Sequence, residues 1–125
     1  MPIPSNINPI VDELHIGNSG TNNVVTQLTG TTTAVVCNAK AGTIHMFAPQ
    51  NLAAGAEISF EVTNNRCTSS SVVIPTLASA NVGGTPFLYA SRASNGSFTM
   101  TISNLHASVA ETGTLVANFV IIDTN

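Results

Sequence analysis

Three histidines, two cysteines and six carboxylates are the side chains in this sequence with the chemistry to bind a metal or move a proton. His15, His45 and His106 lie far apart, without the i, i+2 spacing that sets two ligands on one strand face. Cys37 and Cys67 form no C-x-x-C pair, so the spacing predicts no metal and no other cofactor. The carboxylates are Asp12, Glu13, Glu57, Glu61, Glu111 and Asp123. Glu57 and Glu61 fall on one face of a predicted strand, about 13 Å apart at the usual rise, too far for a glycosidase pair unless another strand supplies a partner. No serine sits in a G-x-S-x-G elbow, and neither a P-loop nor a dinucleotide fingerprint is present. Asn95-Gly96-Ser97 matches a glycosylation sequon but coincides with a predicted hairpin turn. Phe87 and Tyr89 are able to stack on a sugar, but with no Trp and 5% aromatic content they read as core residues. The expectation is a protein that is not an enzyme.

The composition says what must position these groups. A chain of 125 residues makes about one domain with a single core. Hydrophobic content of 43% is ordinary, but charged content of 7% is far below the usual quarter. Ser, Thr and Asn fill the surface instead, at roughly a third of the chain, and they favour strands and turns over helices. So few charges give weak colloidal repulsion, which suits a surface occupied in an assembly. The net charge of −3, with Lys40, Arg66 and Arg92 as the cations, argues against nucleic-acid binding. No apolar run is long enough for a membrane span, and no secretory signal is visible, so synthesis in the cytosol is expected. Cys37 ends the apolar run Ala34-Val35-Val36, a setting that favours reduced thiols over a bridge.

Residues 1–23 differ from the rest. Their prolines and asparagines oppose regular structure, yet Ile3, Ile7, Ile10, Val11, Leu14 and Ile16 are too many apolar groups for a solvated tail. This predicts an extended N-terminal arm, docked on a neighbouring subunit or on the shell of an assembly, or folded back on its own domain. Residues 24–125 carry the strand signals. Candidates run over 24–28, 33–37, 43–48, 56–64 and 72–74, the last stopped by Pro75, with a single helical turn over 50–54. In the stretch 56–64, Ile58, Phe60 and Val62 alternate with Glu57, Ser59, Glu61 and Thr63. Strands 87–93 and 97–103 flank Asn95-Gly96, a strong hairpin signal. About eight strands with turns every 8–12 residues predict a single all-β sandwich, jelly-roll or immunoglobulin-like.

The last strand, residues 114–122, is apolar on both faces. Leu115, Ala117, Phe119 and Ile121 share one face; Val116, Val120 and Ile122 share the other with Asn118. One face must meet the domain's own core, and the other either a second layer of the same sandwich or a sister subunit.

Gly42-Thr43-Ile44-His45-Met46, followed by Asn51-Leu52-Ala53-Ala54-Gly55 and by Phe60-Glu61-Val62-Thr63-Asn64, resembles a recurring module of tailed-bacteriophage and prophage virion proteins. That module shows a G-x-I-x-M strand, an L-A-A-G turn, a strand ending in F-x-V-T-N and a closing strand similar to Ala117-Asn118-Phe119-Val120-Ile121. The resemblance implies a β-sandwich of capsid decoration (cement) proteins or of tail and fibre proteins, commonly trimeric. Here the module takes up nearly the whole sequence, which favours a cement protein on the virion surface over a tail-fibre or receptor- and glycan-binding module. Its expected partners are the major capsid protein and its own copies, with no nucleic acid and no membrane. The expected contacts are the arm residues Ile3, Ile7, Ile10, Val11, Leu14 and Ile16, and Val116, Asn118, Val120 and Ile122 of the last strand.

Contacts so poor in charge gain little from screened Coulomb attraction. Binding to a shell should therefore persist through moderate salt at neutral pH; release under those conditions in a sedimentation assay would count against apolar docking.

Overall fold

The computed structural model describes residues 23–48, 50–79 and 83–123, with only the backbone of Arg92. The arm residues Ile3, Ile7, Ile10, Val11, Leu14 and Ile16, together with His15, lie outside the described residues.

Among the described residues, eight strands form two sheets packed face to face: β1 (Val24–Thr26), β2 (Val35–Val36), β3 (Ala41–His45), β4 (Glu57–Thr63), β5 (Ser71–Leu77), β6 (Pro86–Ser94), β7 (Ser97–Asn104) and β8 (Val116–Asp123). Sheet A has the order β1-β3-β8-β5 and sheet B the order β2-β4-β7-β6. β1 joins β3 and β2 joins β4 in parallel, while the remaining pairs are antiparallel. The chain alternates between sheets until the β6–β7 hairpin, so most connections cross the end of the sandwich.

The alternation read in residues 56–64 is realised in β4, where Phe60 and Val62 are buried and Glu57, Ser59, Glu61 and Thr63 are exposed. The predicted hairpin forms between β6 and β7, with Gly96 at φ 93, a conformation that side-chain-bearing residues rarely adopt. A register shift between Ser91 and Ser94 puts a bulge in β6. The inward face of β8 is wholly core: Ala117, Phe119 and Ile121, with Leu115 just ahead of the strand, are buried in one cluster with Phe98, Met100 and Ile102 of β7. Phe119 of sheet A meets Phe98 of sheet B edge to face, with ring centroids 5.2 Å apart. Gly42 stands opposite Phe119 on β3, and a Cβ there would lie 2.8 Å from the Phe119 ring and from Cys37 Sγ. The missing side chain is the space that the ring occupies.

Three sequence expectations are corrected. Pro75 does not end its strand: β5 continues to Leu77 because it is an edge strand, where a missing N–H breaks no ladder. Residues 50–54 form no helical turn: Asn51 takes φ 48, and Leu52 pairs in an isolated bridge with Glu111. Phe87 and Tyr89 are not core residues, since β6 sets them on the exterior of sheet B, with Phe87 53% exposed.

The loops are held by buried side-chain amides. Asn104, at the end of β7, donates through Nδ2 to the carbonyls of Leu52, Ala53 and Val109 at 3.0, 3.3 and 2.9 Å. Its Oδ1 accepts from the backbone N–H of Thr85 and His106 at 2.9 and 3.1 Å. One side chain thus serves three connections. Asn104→Asp keeps the size and the acceptor but removes the donors, leaving buried carbonyls against a carboxylate. At about 1–3 kcal/mol for each orphaned group, it should lower the unfolding free energy by several kcal/mol in urea titration, more than Asn95→Asp in the exposed hairpin turn.

Candidate functional site

The outer face of sheet A is built in rows set by strand register. Val72 of β5 lies beside Ile122 of β8; Ile74, Val120 and Ala41 form the next row; Thr76, Asn118, Thr43 and Val24 the third; Val116, His45 and Thr26 the fourth. The first two rows contain only apolar side chains. Val72, Ile74 and Ile122 are 45%, 45% and 42% exposed, and Val116 and Val120 are half-buried. Among the described residues, the second face of the last strand is therefore an exterior, not a second internal layer. Sequence reasoning found Val116, Asn118, Val120 and Ile122 but missed Val72, Ile74 and Val24, because only strand pairing brings these beside β8. Asn118 is exposed, and its Oδ1 accepts from the Thr43 hydroxyl on the neighbouring strand at 2.8 Å.

One ion pair marks the corner beside the apolar rows. Lys40 Nζ donates to Asp123 Oδ2, and the Ser71 hydroxyl donates to Asp123 Oδ1 at 3.0 Å. The hydrogen bonds from Lys40 and then Ser71 hold the Asp123 carboxyl below the usual carboxylate range.

The outer face of sheet B is of opposite character. Phe87, Ser103 and Glu57 share one row, Tyr89, Thr101 and Ser59 the next, and Ser91, Thr99 and Glu61 the third. Glu57 Oε2 accepts from the Ser103 hydroxyl at 2.8 Å and from the Tyr89 hydroxyl at 3.3 Å. Between the edge strands β5 and β6 runs a groove of about 260 Å³ lined by Ser71, Val72, Val73, Ala90, Ser91 and Ala93.

His45 lies on the outer face of sheet A, while His106 caps a loop, its Nδ1 accepting from the N–H of Ser108 and Val109. Glu111 is buried, with Oε1 accepting from Gly113 N–H at 2.8 Å. Cys37 and Cys67 are both buried and not joined in a disulfide, and burial pushes both thiols up. Among the described residues no three His, Cys, Asp or Glu side chains come close enough together to hold a metal ion. No helix among them is long and apolar enough to cross a membrane.

Comparison with known protein families, with characterised proteins and with solved structures returns no match to this chain.

Because the Asp123 carboxyl is lowered on folding, its contribution is present above the unfolded carboxylate range and is lost as pH falls through the depressed folded value. Asp123→Asn should remove that part of the acid sensitivity. Urea midpoints measured from neutral pH down to about 2 should fall less steeply for the variant than for the parent, and parallel curves would refute the assignment.

Proposed function

We propose that this chain is a non-enzymatic virion protein, a decoration (cement) protein of a tailed bacteriophage that sits on the capsid surface and bridges neighbouring subunits. The observation that carries the reading is the apolar exterior of sheet A, where Val72, Ile74, Val120, Ile122 and Ala41 form a continuous block with no charged side chain in its rows. A chain with 7% charged residues that spends its apolar groups on an exterior face has an unmet surface to cover. The motif resemblance of residues 42–64 and 117–121 supports the virion setting.

In this reading the apolar rows pack against sister copies in a homotrimer, and residues 3–16 engage the major capsid protein. Burial gains about 25 cal/mol per Å² of apolar surface, so each copy need supply only a few kcal/mol when many copies act on one shell. Asn118 lies at the edge of the apolar block and, through Thr43, has its carbonyl oxygen partnered before any subunit arrives. An unpartnered amide buried at such a contact would cost about 1–3 kcal/mol.

Replacing Ile74 and Ile122 with Lys puts two charges in the block without touching the core. By sedimentation equilibrium the parent should be a trimer and the double variant a monomer, with unchanged far-ultraviolet circular dichroism. Deletion of residues 1–22 should leave the trimer intact while abolishing co-sedimentation with undecorated heads of the phage that carries the gene. A parent chain that stays monomeric at high concentration and does not bind such heads would overturn the reading.

A further inference from the structure

The exterior of sheet B carries two aromatic side chains beside an anchored carboxylate. Tyr89 lies on β6 and Glu57 on β4, with β7 between them. The Tyr89 hydroxyl reaches Glu57 Oε2 at 3.3 Å, so the phenol must lie across β7. Thr101 is directly beside Tyr89 on β7 and, although on the outer face, is only 3% exposed. Its hydroxyl is paired with Ser59 at 2.8 Å. Tyr89 is thus a half-buried side chain on the outer face that crosses the sheet beside Thr101. Phe87 lies next to it: its ring centroid is 6.1 Å from that of Tyr89, the planes differ by 35°, and the side chain is 53% exposed.

We propose that Phe87, Tyr89 and Glu57 form a saccharide-binding platform. A pyranose ring offers an apolar C–H face and a rim of hydroxyl groups. The two rings supply the broad apolar floor that such a face needs. The Glu57 carboxylate stands at the edge of that floor, and a carboxylate has about four lone-pair positions, more than the Ser103 and Tyr89 hydroxyls use. It is held in place by those two donors and is ready to accept from sugar hydroxyls. The surrounding Ser59, Ser91, Thr99 and Ser103 both donate and accept, matching the dual character of sugar hydroxyls; a cationic peptide needs acceptors alone. This exterior is opposite the apolar rows of sheet A, so the proposal stands apart from the decoration role.

The chain has a single tyrosine and no tryptophan, so its intrinsic emission reports Tyr89 alone. The full chain should first be screened on a glycan array. Malto-, chito- and manno-oligosaccharides, together with the best array hits, should then be titrated while tyrosine emission is followed, with a Lys/Arg-rich peptide in parallel. Saturable binding of a saccharide with a change in emission is expected. Phe87→Ala should weaken it about tenfold, Glu57→Gln should weaken it measurably, and Ile74→Lys on the opposite sheet should leave it unchanged. Phe87 and Glu57 are exposed, and circular dichroism of both variants verifies the fold. No saccharide bound in either assay, saccharide binding indifferent to Phe87→Ala, or binding of the basic peptide alone would each overturn the proposal.

Discussion

The contact between Phe98 and Phe119 fixes how the two sheets face each other. Phe119 is paired with Gly42 on one side and Pro75 on the other, so the ring has room between its neighbours to cross the interior. Phe98 is paired with Val62, which closes the opposite wall. A slip of one residue in β8 would bring Asn118 or Val120 inward and send Phe119 to solvent. The interior contact therefore also decides what the exterior displays. Val120 and Ile122 lie outside because Phe119 and Ile121 are committed to the core.

The ends of the sandwich depend on a different kind of group. Asn64 donates to the Ala39 carbonyl and accepts from Arg66 N–H; Gln27 donates to the Thr33 carbonyl and accepts from Phe47 N–H. With Asn104, these amides tie crossing connections to the sheets. An amide both donates and accepts, so one side chain can bind two segments without the desolvation cost of a charge. In a sequence so poor in Lys, Arg, Asp and Glu, this is how the loops are held.

The elements carried by local pattern were legible in the sequence. The alternation of β4, the Asn95-Gly96 hairpin and the two faces of β8 each depend on neighbouring residues alone. Pro75 was misread because a proline's cost depends on whether its strand is an edge, which only strand order reveals. The parallel joining of β1 to β3 and of β2 to β4 was illegible for the same reason: it depends on which strands the crossovers bring together. The faces were half legible. The spacing in β8 marked Val116, Asn118, Val120 and Ile122, whereas Val72 and Ile74 needed register to join them. Phe87 and Tyr89 looked like core because hydrophobic type alone does not say which face of a sheet a residue takes. The approach of Tyr89 to Glu57 spans three strands and a sequence separation of 32, beyond any local signal.

The edges of the sandwich have a bearing on how copies can add to one another. β1 has three residues, β2 has two, β5 contains Pro75, and β6 is broken by its bulge. Such short or interrupted edges resist the addition of another strand. Strand-to-strand addition would propagate without end, whereas a face that turns toward a symmetry axis is used up once the ring closes. If copies associate as proposed, blunted edges and apolar rows on a face favour a finite cluster over a fibre.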